Sequence, residues 1–242
     1  MDSPRVITTL DNEFGQFTVE ELVYDNRRAR VLFAGPLHAA QSGIPLDNNP
    51  HMLFDYNQLL LELTAEINPG SLLILGGGVL TLPTAITNTL VRTKVTVVEI
   101  NVGLIELARQ YFGYRQNARL KVIVDDAGRF MFNQRLKYDL IITDVFDNFT
   151  LPLKFRSRQF AAALAGALNT GGLVATNCIS FISSDQNSPL GQIKASYAKA
   201  IGPTKIIKVD PSYPKEVSQN LIVVSGDKSS QVLKHKVSIN LF

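Results

Sequence analysis

From Ser71 onward, short apolar runs alternate with segments of helical periodicity, and this alternation restricts the possible folds more than any other feature of the chain. The runs predicted to be buried strands are Ser71–Leu75, Lys94–Glu99, Leu120–Val124, Tyr138–Asp144 and Leu173–Ile179. Helices are predicted between these strands. The first starts at about Leu82, and the others cover Val102–Phe112, Ala127 to about Arg135, and Ser157–Leu168. Such alternation is typical of parallel β–α units, so we expect an α/β fold.

The C-terminal part departs from this regular alternation. After a predicted helix near Leu190–Ala200, two strand-like runs, Lys205–Asp210 and Asn220–Ser225, are joined by the turn-rich segment Pro211–Pro214. A parallel crossover needs a dozen or more residues, so two strands joined by a short link pair antiparallel. We therefore expect a mostly parallel sheet with an antiparallel C-terminal strand.

The N-terminal part has the pattern of a separate β-structure. Residues 6 to about 47 contain strand-like runs and a turn at Asp25-Asn26, which predicts a small β-hairpin annex. Gly43–Pro50 has the composition of a linker, and Asn57–Ile67 has apolar residues at helical spacing. We therefore predict an annex over residues 1–50 and a main domain over residues 51–242.

Composition excludes several classes of function. The net charge is only +3, from 24 basic and 21 acidic residues, and the basic residues are scattered, so we expect no nucleic-acid partner. Cys178 is the only cysteine and the three histidines, His38, His51 and His235, are scattered, so we expect no disulfide and no metal site. No apolar run reaches the roughly 18 to 20 residues of a membrane span, and no secretion signal is recognisable, so we expect no membrane partner and a cytoplasmic location.

The first predicted strand of the main domain runs directly into Gly76-Gly77-Gly78 and then into a helix. Glycines at this point let the backbone approach a nucleotide, and an acid at the end of the next strand can bind ribose hydroxyls. Glu99 is that acid, 99 − 78 = 21 residues after Gly78. Thr81 replaces the third small residue of the dinucleotide fingerprint, which disfavours a nicotinamide cofactor. The alternative is that the glycines serve only to reverse the chain and that Glu99 is solvated.

Acidic residues also follow the next two predicted strands. Asp125-Asp126 follows the third strand and Asp144 ends the fourth, so these acids share one sheet edge with the glycines and Glu99. This order of groups, with an antiparallel terminal pair, fits a Rossmann-like, S-adenosylmethionine-dependent methyltransferase-type sheet better than a dinucleotide fold. Asp144 and Asp147 form a carboxylate pair that suits a cationic amine, and one of them can remove a proton from it. The alternative is that Asp144 only caps a turn and that Asp147 is solvated.

Several motifs in this order resemble those of the polyamine aminopropyltransferases, the spermidine synthase-like proteins. The segments that carry the resemblance are Leu72–Gly78, Val97–Ile100, Asp125–Ala127, Tyr138–Asp147, Phe54–Gln58 and Gly171–Leu173. The similarity extends over roughly residues 15 to 225, and the ordered set is more specific than any single motif.

The resemblance implies a role for each of these motifs. On the cofactor side, Glu99 would hold the ribose, Asp126 would read the adenine amino group, and Gly76, Gly77, Gly78 and Ala127 would complete the nucleoside site. On the amine side, Asp144 would be the proton acceptor, and Asp147 and Tyr56 would lie at the amine. Gln41 would lie near the cofactor. The implied reaction moves an aminopropyl group from decarboxylated S-adenosylmethionine to a diamine such as putrescine, releasing methylthioadenosine. A homodimer built partly through the N-terminal strands is also implied.

Two other functions stay open. Val79 stands where the family carries an acid after the three glycines, which would suit a methyltransferase that uses intact S-adenosylmethionine. Val79, together with Gln58 in place of a family glutamate, would also suit a catalytically weak, oligomeric nucleoside-binding module. Retention of both Asp144 and Asp147 argues for an enzyme.

Overall fold

The computed structural model describes residues 3–147, 150–183 and 185–239 and contains two β-sheets. The strands of the N-terminal sheet are β1 (Arg5–Asn12), β2 (Gly15–Tyr24), β3 (Arg27–Ala34) and β4 (Ala39–Pro45). They pair antiparallel in chain order. The strands of the main sheet are β5 (Ser71–Leu75), β6 (Lys94–Glu99), β7 (Leu120–Val124), β8 (Tyr138–Thr143), β9 (Leu168–Ser180), β10 (Thr204–Lys208), β11 (Gln219–Ser225) and β12 (Ser238–Ile239).

Helices connect the strands of the main sheet. The α-helices are α1 (Asp55–Ile67), α2 (Thr81–Thr89), α3 (Val102–Tyr111), α4 (Ala127–Asn133), α5 (Arg158–Gly166) and α6 (Pro189–Ala200). Two short 3₁₀ helices cover Leu153–Arg156 and Ser229–Gln231. None of the helices in the described ranges is long and apolar enough to cross a membrane.

The strand order of the main sheet is β12-β10-β11-β9-β8-β5-β6-β7. The five strands from β5 to β9 pair parallel, and β11 lies antiparallel between β9 and β10. The predicted α/β fold with an antiparallel C-terminal strand is therefore confirmed. The strands Ser71–Leu75, Lys94–Glu99 and Leu120–Val124 have the predicted bounds. For Ser71–Leu75 the reason is that a central strand buried on both faces is a continuous apolar run.

The N-terminal region has more structure than the predicted hairpin. It is a four-stranded sheet, and the predicted linker Gly43–Pro50 is wrong at its start because Gly43–Pro45 belong to β4. Backbone hydrogen bonds to β3 order this segment, and a polar composition does not reveal such pairing. The division into residues 1–50 and 51–242 stays a prediction.

The main sheet is buried on both faces. Along β5, Leu72 and Ile74 join one apolar cluster, and Leu73 and Leu75 join the cluster on the opposite face. Val19 and Leu32 of the N-terminal sheet belong to the first cluster. The two sheets therefore share a core, and that packing sets where the N-terminal strands lie relative to the carboxyl ends of β5 to β8. Cys178 lies in the second cluster, and its burial raises the pKa of the thiol to about 12.

Gly76 directly follows β5, at the point where the chain leaves the strand and lies very close to the backbone of Asp144. Its φ is +87°, and a Cβ added there would lie 2.1 Å from the backbone oxygen of Asp144. Only glycine therefore lets β5 and the residue after β8 come together at this edge of the sheet.

We predict that Gly76→Ala lowers the free energy of unfolding by about 2–4 kcal/mol, from left-handed backbone strain and the clash with Asp144. The matched control is Gly166→Ala, at the end of α5, where the added Cβ meets nothing within 4 Å. That control should change stability by no more than about 1 kcal/mol. Urea denaturation of the three proteins measures both values, and equal stability of Gly76→Ala and wild type would contradict the steric argument.

Candidate active site

A cavity of about 570 Å³ opens at the carboxyl ends of β5, β6, β7 and β8. This volume is typical of small-molecule sites, which open α/β sheets form at this edge. Residues from the N-terminal sheet, including Phe17 of β2 and Gln41 of β4, form part of the wall. The residues predicted for the site that line this cavity are Gln41, Tyr56, Gly76, Gly77, Gly78, Glu99, Asp126, Ala127, Asp144 and Asp147.

The glycine loop is held by the side chain of Glu99. Its Oε2 accepts hydrogen bonds from the backbone N–H groups of Gly77 (2.8 Å) and Gly78 (2.7 Å), and its Oε1 accepts one from Asn101 N–H (2.8 Å). Glu99 is buried, with 7% of its surface exposed. A carboxylate oxygen has two lone pairs, so Oε1 keeps an acceptor position for a ligand hydroxyl. Glu99 thus shapes the loop and also faces the cavity, where a ribose-binding role stays a prediction.

Asp126 begins helix α4 and is paired with a lysine. Its Oδ1 accepts from the N–H of Arg129 (2.9 Å), and its Oδ2 accepts from the ammonium of Lys154 (2.7 Å). Partial burial alone would raise the pKa of Asp126, but the bonds from Lys154 and Arg129 outweigh it and hold the pKa below its ordinary value. The carboxyl is therefore ionised at neutral pH beside Ala127, which is buried.

Asp144 is half-buried in the inner wall of the cavity, directly after β8. Burial raises the pKa of its carboxyl to about 6, against a hydrogen bond from Asn177 and helped by the charge of Glu99. The amide Nδ2 of Asn177 lies 2.9 Å from Asp144 Oδ1. A general base works best when its pKa is close to the operating pH, and the environment moves Asp144 in that direction.

Tyr56, Gln41 and Asp147 also line the cavity. The hydroxyl of Tyr56 donates to the backbone oxygen of Gln41 (3.2 Å), which joins α1 to strand β4. Burial raises the pKa of the Tyr56 phenol well above its ordinary value, and the charge of Asp144 adds to the shift. Asp147 is exposed at the rim, where its backbone pairs with Thr150.

Two substitutions singled out in the sequence lie away from the cavity wall. Val79 is fully buried in the core cluster that contains α1 and α2 residues, and it is not among the lining residues. Gln58 accepts from Met52 N–H and donates to Glu62, so it ties the start of α1 to the preceding loop. Because neither side chain lines the cavity, the absence of an acid at these two positions does not change the charge of the cavity wall.

Sequence reasoning missed several residues that the structure brings to the site. Lys154 comes from a 3₁₀ helix, Asn177 from β9, and Glu13 from the turn between β1 and β2. None of them lies in a recognisable motif, and only the folded chain brings them beside the acids.

The charge of the cavity wall is strongly negative. The acidic lining residues are Glu13, Glu99, Asp125, Asp126, Asp144 and Asp147. Among the lining residues that the structure describes, Lys154 is the only lysine or arginine. A wall of this kind attracts cations and repels carboxylates. His, Cys, Asp and Glu side chains of the described residues form no group of three that could hold a metal ion.

The family model for the spermine/spermidine synthase domain matches residues 54–221, which is more than half of the chain. The chain belongs to the spermine/spermidine synthase family. This confirms the resemblance seen in the sequence motifs. The matched region begins just before α1 and ends in β11, so it contains the glycine loop, Glu99, Asp126, Asp144 and Asp147.

Individual relatives of this spermine/spermidine synthase family member carry the same family identity. A polyamine aminopropyltransferase from Serratia proteamaculans is 28% identical over 193 residues, covering 74% of this chain and 67% of that protein. One from Yersinia pseudotuberculosis is 27% identical over 192 residues, covering 74% and 65%. The chain thus spans about two thirds of the length of these curated relatives.

The fold is shared with solved structures. The crystal structure of a probable spermidine synthase from Corynebacterium glutamicum superposes with a TM-score of 0.75 at 24% identity. The superposition covers 91% of this chain and 80% of that one. At this identity the likeness concerns the fold, which matches the predicted class.

We predict that Glu99→Gln destabilises the protein by about 1–3 kcal/mol, because a neutral amide cannot accept from the loop N–H groups on both sides. The matched control is Glu106→Gln on the exposed side of α3. Thermal unfolding of both variants measures the difference. A melting temperature for Glu99→Gln equal to that of the control would contradict the role of Glu99 in holding the loop.

Proposed function

We propose that the protein is a transferase that moves the aminopropyl group of decarboxylated S-adenosylmethionine to a small diamine such as putrescine. The observation that carries this proposal is the position of Asp144, a carboxyl of raised pKa in the wall of a cavity that also contains the glycine loop and Glu99. Family membership supports the same reaction class, since the curated relatives are polyamine aminopropyltransferases. Polyamine biosynthesis is the role consistent with both.

The reaction needs little covalent chemistry from the protein. The lone pair of the amine attacks the propyl carbon bonded to the sulfonium, and the carbon–sulfur bond breaks with its electron pair returning to sulfur. The products are the N-aminopropyl amine and neutral methylthioadenosine. The extra proton on the new secondary ammonium, or on the amine before attack, passes to the Asp144 carboxylate. The protein would supply orientation, exclusion of water and that acceptor.

The acidic wall favours the decarboxylated co-substrate over intact S-adenosylmethionine. Decarboxylated S-adenosylmethionine carries a positive sulfonium and a positive ammonium and no carboxylate. The acidic cavity wall therefore attracts it. Intact S-adenosylmethionine would add a carboxylate to this wall, where Lys154 is already paired with Asp126. The buried, core-facing Val79 also removes the reason that the sequence offered for the methyltransferase alternative.

The remaining sequence-based expectations stay proposals. The roles of Glu99, Asp126, Asp147, Tyr56 and Gln41 toward ribose, adenine and amine rest on the resemblance and on their shared cavity. A homodimer built through the N-terminal strands and a cytoplasmic location rest on the resemblance and the composition. Exposed apolar side chains on that sheet, including Val6 and Val23, are compatible with a partner subunit.

We predict that Asp144→Asn reduces turnover at least 100-fold, the usual scale of general-base catalysis, because the amide cannot accept the proton. The matched control is Asp139→Asn near the start of β8, where Asp139 accepts hydrogen bonds from Ser71 and Asn169 at the opposite end of the sheet. Formation of methylthioadenosine from decarboxylated S-adenosylmethionine and putrescine is the measurement.

Because burial disfavours the charged form of Asp144, the folded carboxyl has the higher pKa and stability falls as pH rises through about 6. Asp144→Asn should therefore melt no lower than wild type at pH 7.5, and unchanged turnover would contradict the proposal.

We predict that decarboxylated S-adenosylmethionine raises the melting temperature more than equimolar S-adenosylmethionine does, through binding linkage to the folded state. Methylthioadenosine is the control for the shared nucleoside. A larger shift with S-adenosylmethionine would favour a methyltransferase. Shifts with the nucleosides but no turnover on any diamine would favour a nucleoside-binding module.

A further inference from the structure

Two asparagines from neighbouring strands form a hydrogen-bonded chain that ends on Asp144. Asn220 of β11 donates from Nδ2 to Oδ1 of Asn177 in the adjacent β9 (3.0 Å). Asn177 in turn donates from Nδ2 to Oδ1 of Asp144 (2.9 Å). Asn177 is almost completely buried, with 1% of its surface exposed. A buried amide in this position has few other partners, so its orientation is set by these two bonds.

The orientation of the Asn177 amide matters for Asp144. An ionised carboxylate only accepts hydrogen bonds, so Asn177 must present its NH₂ group and not its oxygen. Asn220 secures this orientation because its own NH₂ group occupies the oxygen of Asn177. Flipped by half a turn, Asn177 would place an oxygen against the carboxylate, which would disfavour the charged form. The chain therefore has a direction, and the direction favours an ionised Asp144.

The other groups that face Asp144 act against ionisation or are neutral. Glu99 faces it from the end of β6 and raises the pKa of Asp144 by its charge, and Tyr56 faces it from α1 as a neutral phenol at ordinary pH. Asp147 follows in the same loop. None of the ion pairs found among the described residues includes Asp144. Asn177 is therefore the side chain that opposes the effects of burial and of Glu99.

We infer that Asn177 is a positioning residue for Asp144 and that Asn220 fixes the Asn177 amide in the orientation which that role requires. The inference rests on the proposed function for its catalytic meaning. Asn177 engages Oδ1 of Asp144, and none of the side-chain hydrogen bonds found among the described residues engages Oδ2, so Oδ2 is the better-placed acceptor for the proton of the amine. Both asparagines thus act through Asp144 and need not touch the substrate.

The test compares Asn177→Leu and Asn220→Leu with wild type. Both replacements keep the branch at Cγ and remove the donor. The matched control is Asn169→Leu, because Asn169 lies near the other end of β9 and also donates to an aspartate, Asp139, at 2.7 Å. Two measurements are made on each protein: the pH dependence of kcat and KM for aminopropyl transfer, and the titration of the labelled Asp144 carboxyl carbon by NMR.

We expect the acidic limb of kcat/KM for the diamine, which reports the free enzyme, to have its midpoint near pH 6 in wild type, the pKa of Asp144. Asn177→Leu should move this midpoint up by about one to two pH units, the size expected for loss of a hydrogen bond to a charged group. Asn220→Leu should move it in the same direction by less, and Asn169→Leu should leave it in place. The KM for the diamine should change less than twofold in Asn177→Leu.

Several results would overturn the inference. An unchanged titration of Asp144 in both Asn177→Leu and Asn220→Leu would do so, as would a raised KM with an unmoved acidic limb, which would place Asn177 at the amine. If Asn177→Leu does not fold, Asn220→Leu carries the test alone. The NMR titration does not depend on turnover, so a shifted Asp144 in a protein with no aminopropyl transfer would refute the proposed function and leave the positioning intact.

Discussion

The carboxylate of Glu99 holds together the part of the molecule on which the site depends. It accepts three backbone N–H groups, two from the glycine loop after β5 and one from the residue that begins α3. Backbone donors at the end of a strand and at the start of a helix have no partner within their own element. One buried acid therefore stabilises two connections at once, and it fixes the loop so that Gly76 can lie against the backbone of Asp144.

The close approach of β5 and β8 decides the character of the cavity. Because Gly76 has no side chain, the residue after β8 can lie against the glycine loop, and Asp144 is half-buried in the cavity wall. Burial then disfavours its charge, while Asn177 restores part of the stability of the ionised form. The result is a carboxyl of intermediate pKa in a wall that also contains five other acidic residues. Such a wall suits a doubly cationic co-substrate and an amine, and a single acceptor can serve the chemistry.

The N-terminal sheet completes the site by packing and not by a motif. Val19 and Leu32 join the core of the main domain, and this places Gln41, Phe17 and the turn with Glu13 over the cavity. The fold and the order of the main elements could be predicted because strands buried on both faces are continuous apolar runs. The acids at strand ends could be predicted as one site because parallel strands bring their carboxyl ends to one edge. The extent of the N-terminal sheet could not, since pairing between β3 and β4 leaves only a weak trace in a short polar segment.

By itself the sequence determined the parallel α/β fold, the glycine loop and the acids Glu99, Asp126, Asp144 and Asp147, because these depend on local periodicity and on position at strand ends. Only the tertiary structure decided which side chains control those acids. Lys154 on Asp126 and Asn177 on Asp144 come from segments 28 and 33 residues away along the chain. It also decided that Val79 and Gln58 face away from the cavity. Hydrogen bonding and burial are properties of three-dimensional neighbours, and the sequence order of those neighbours carries no signal of them.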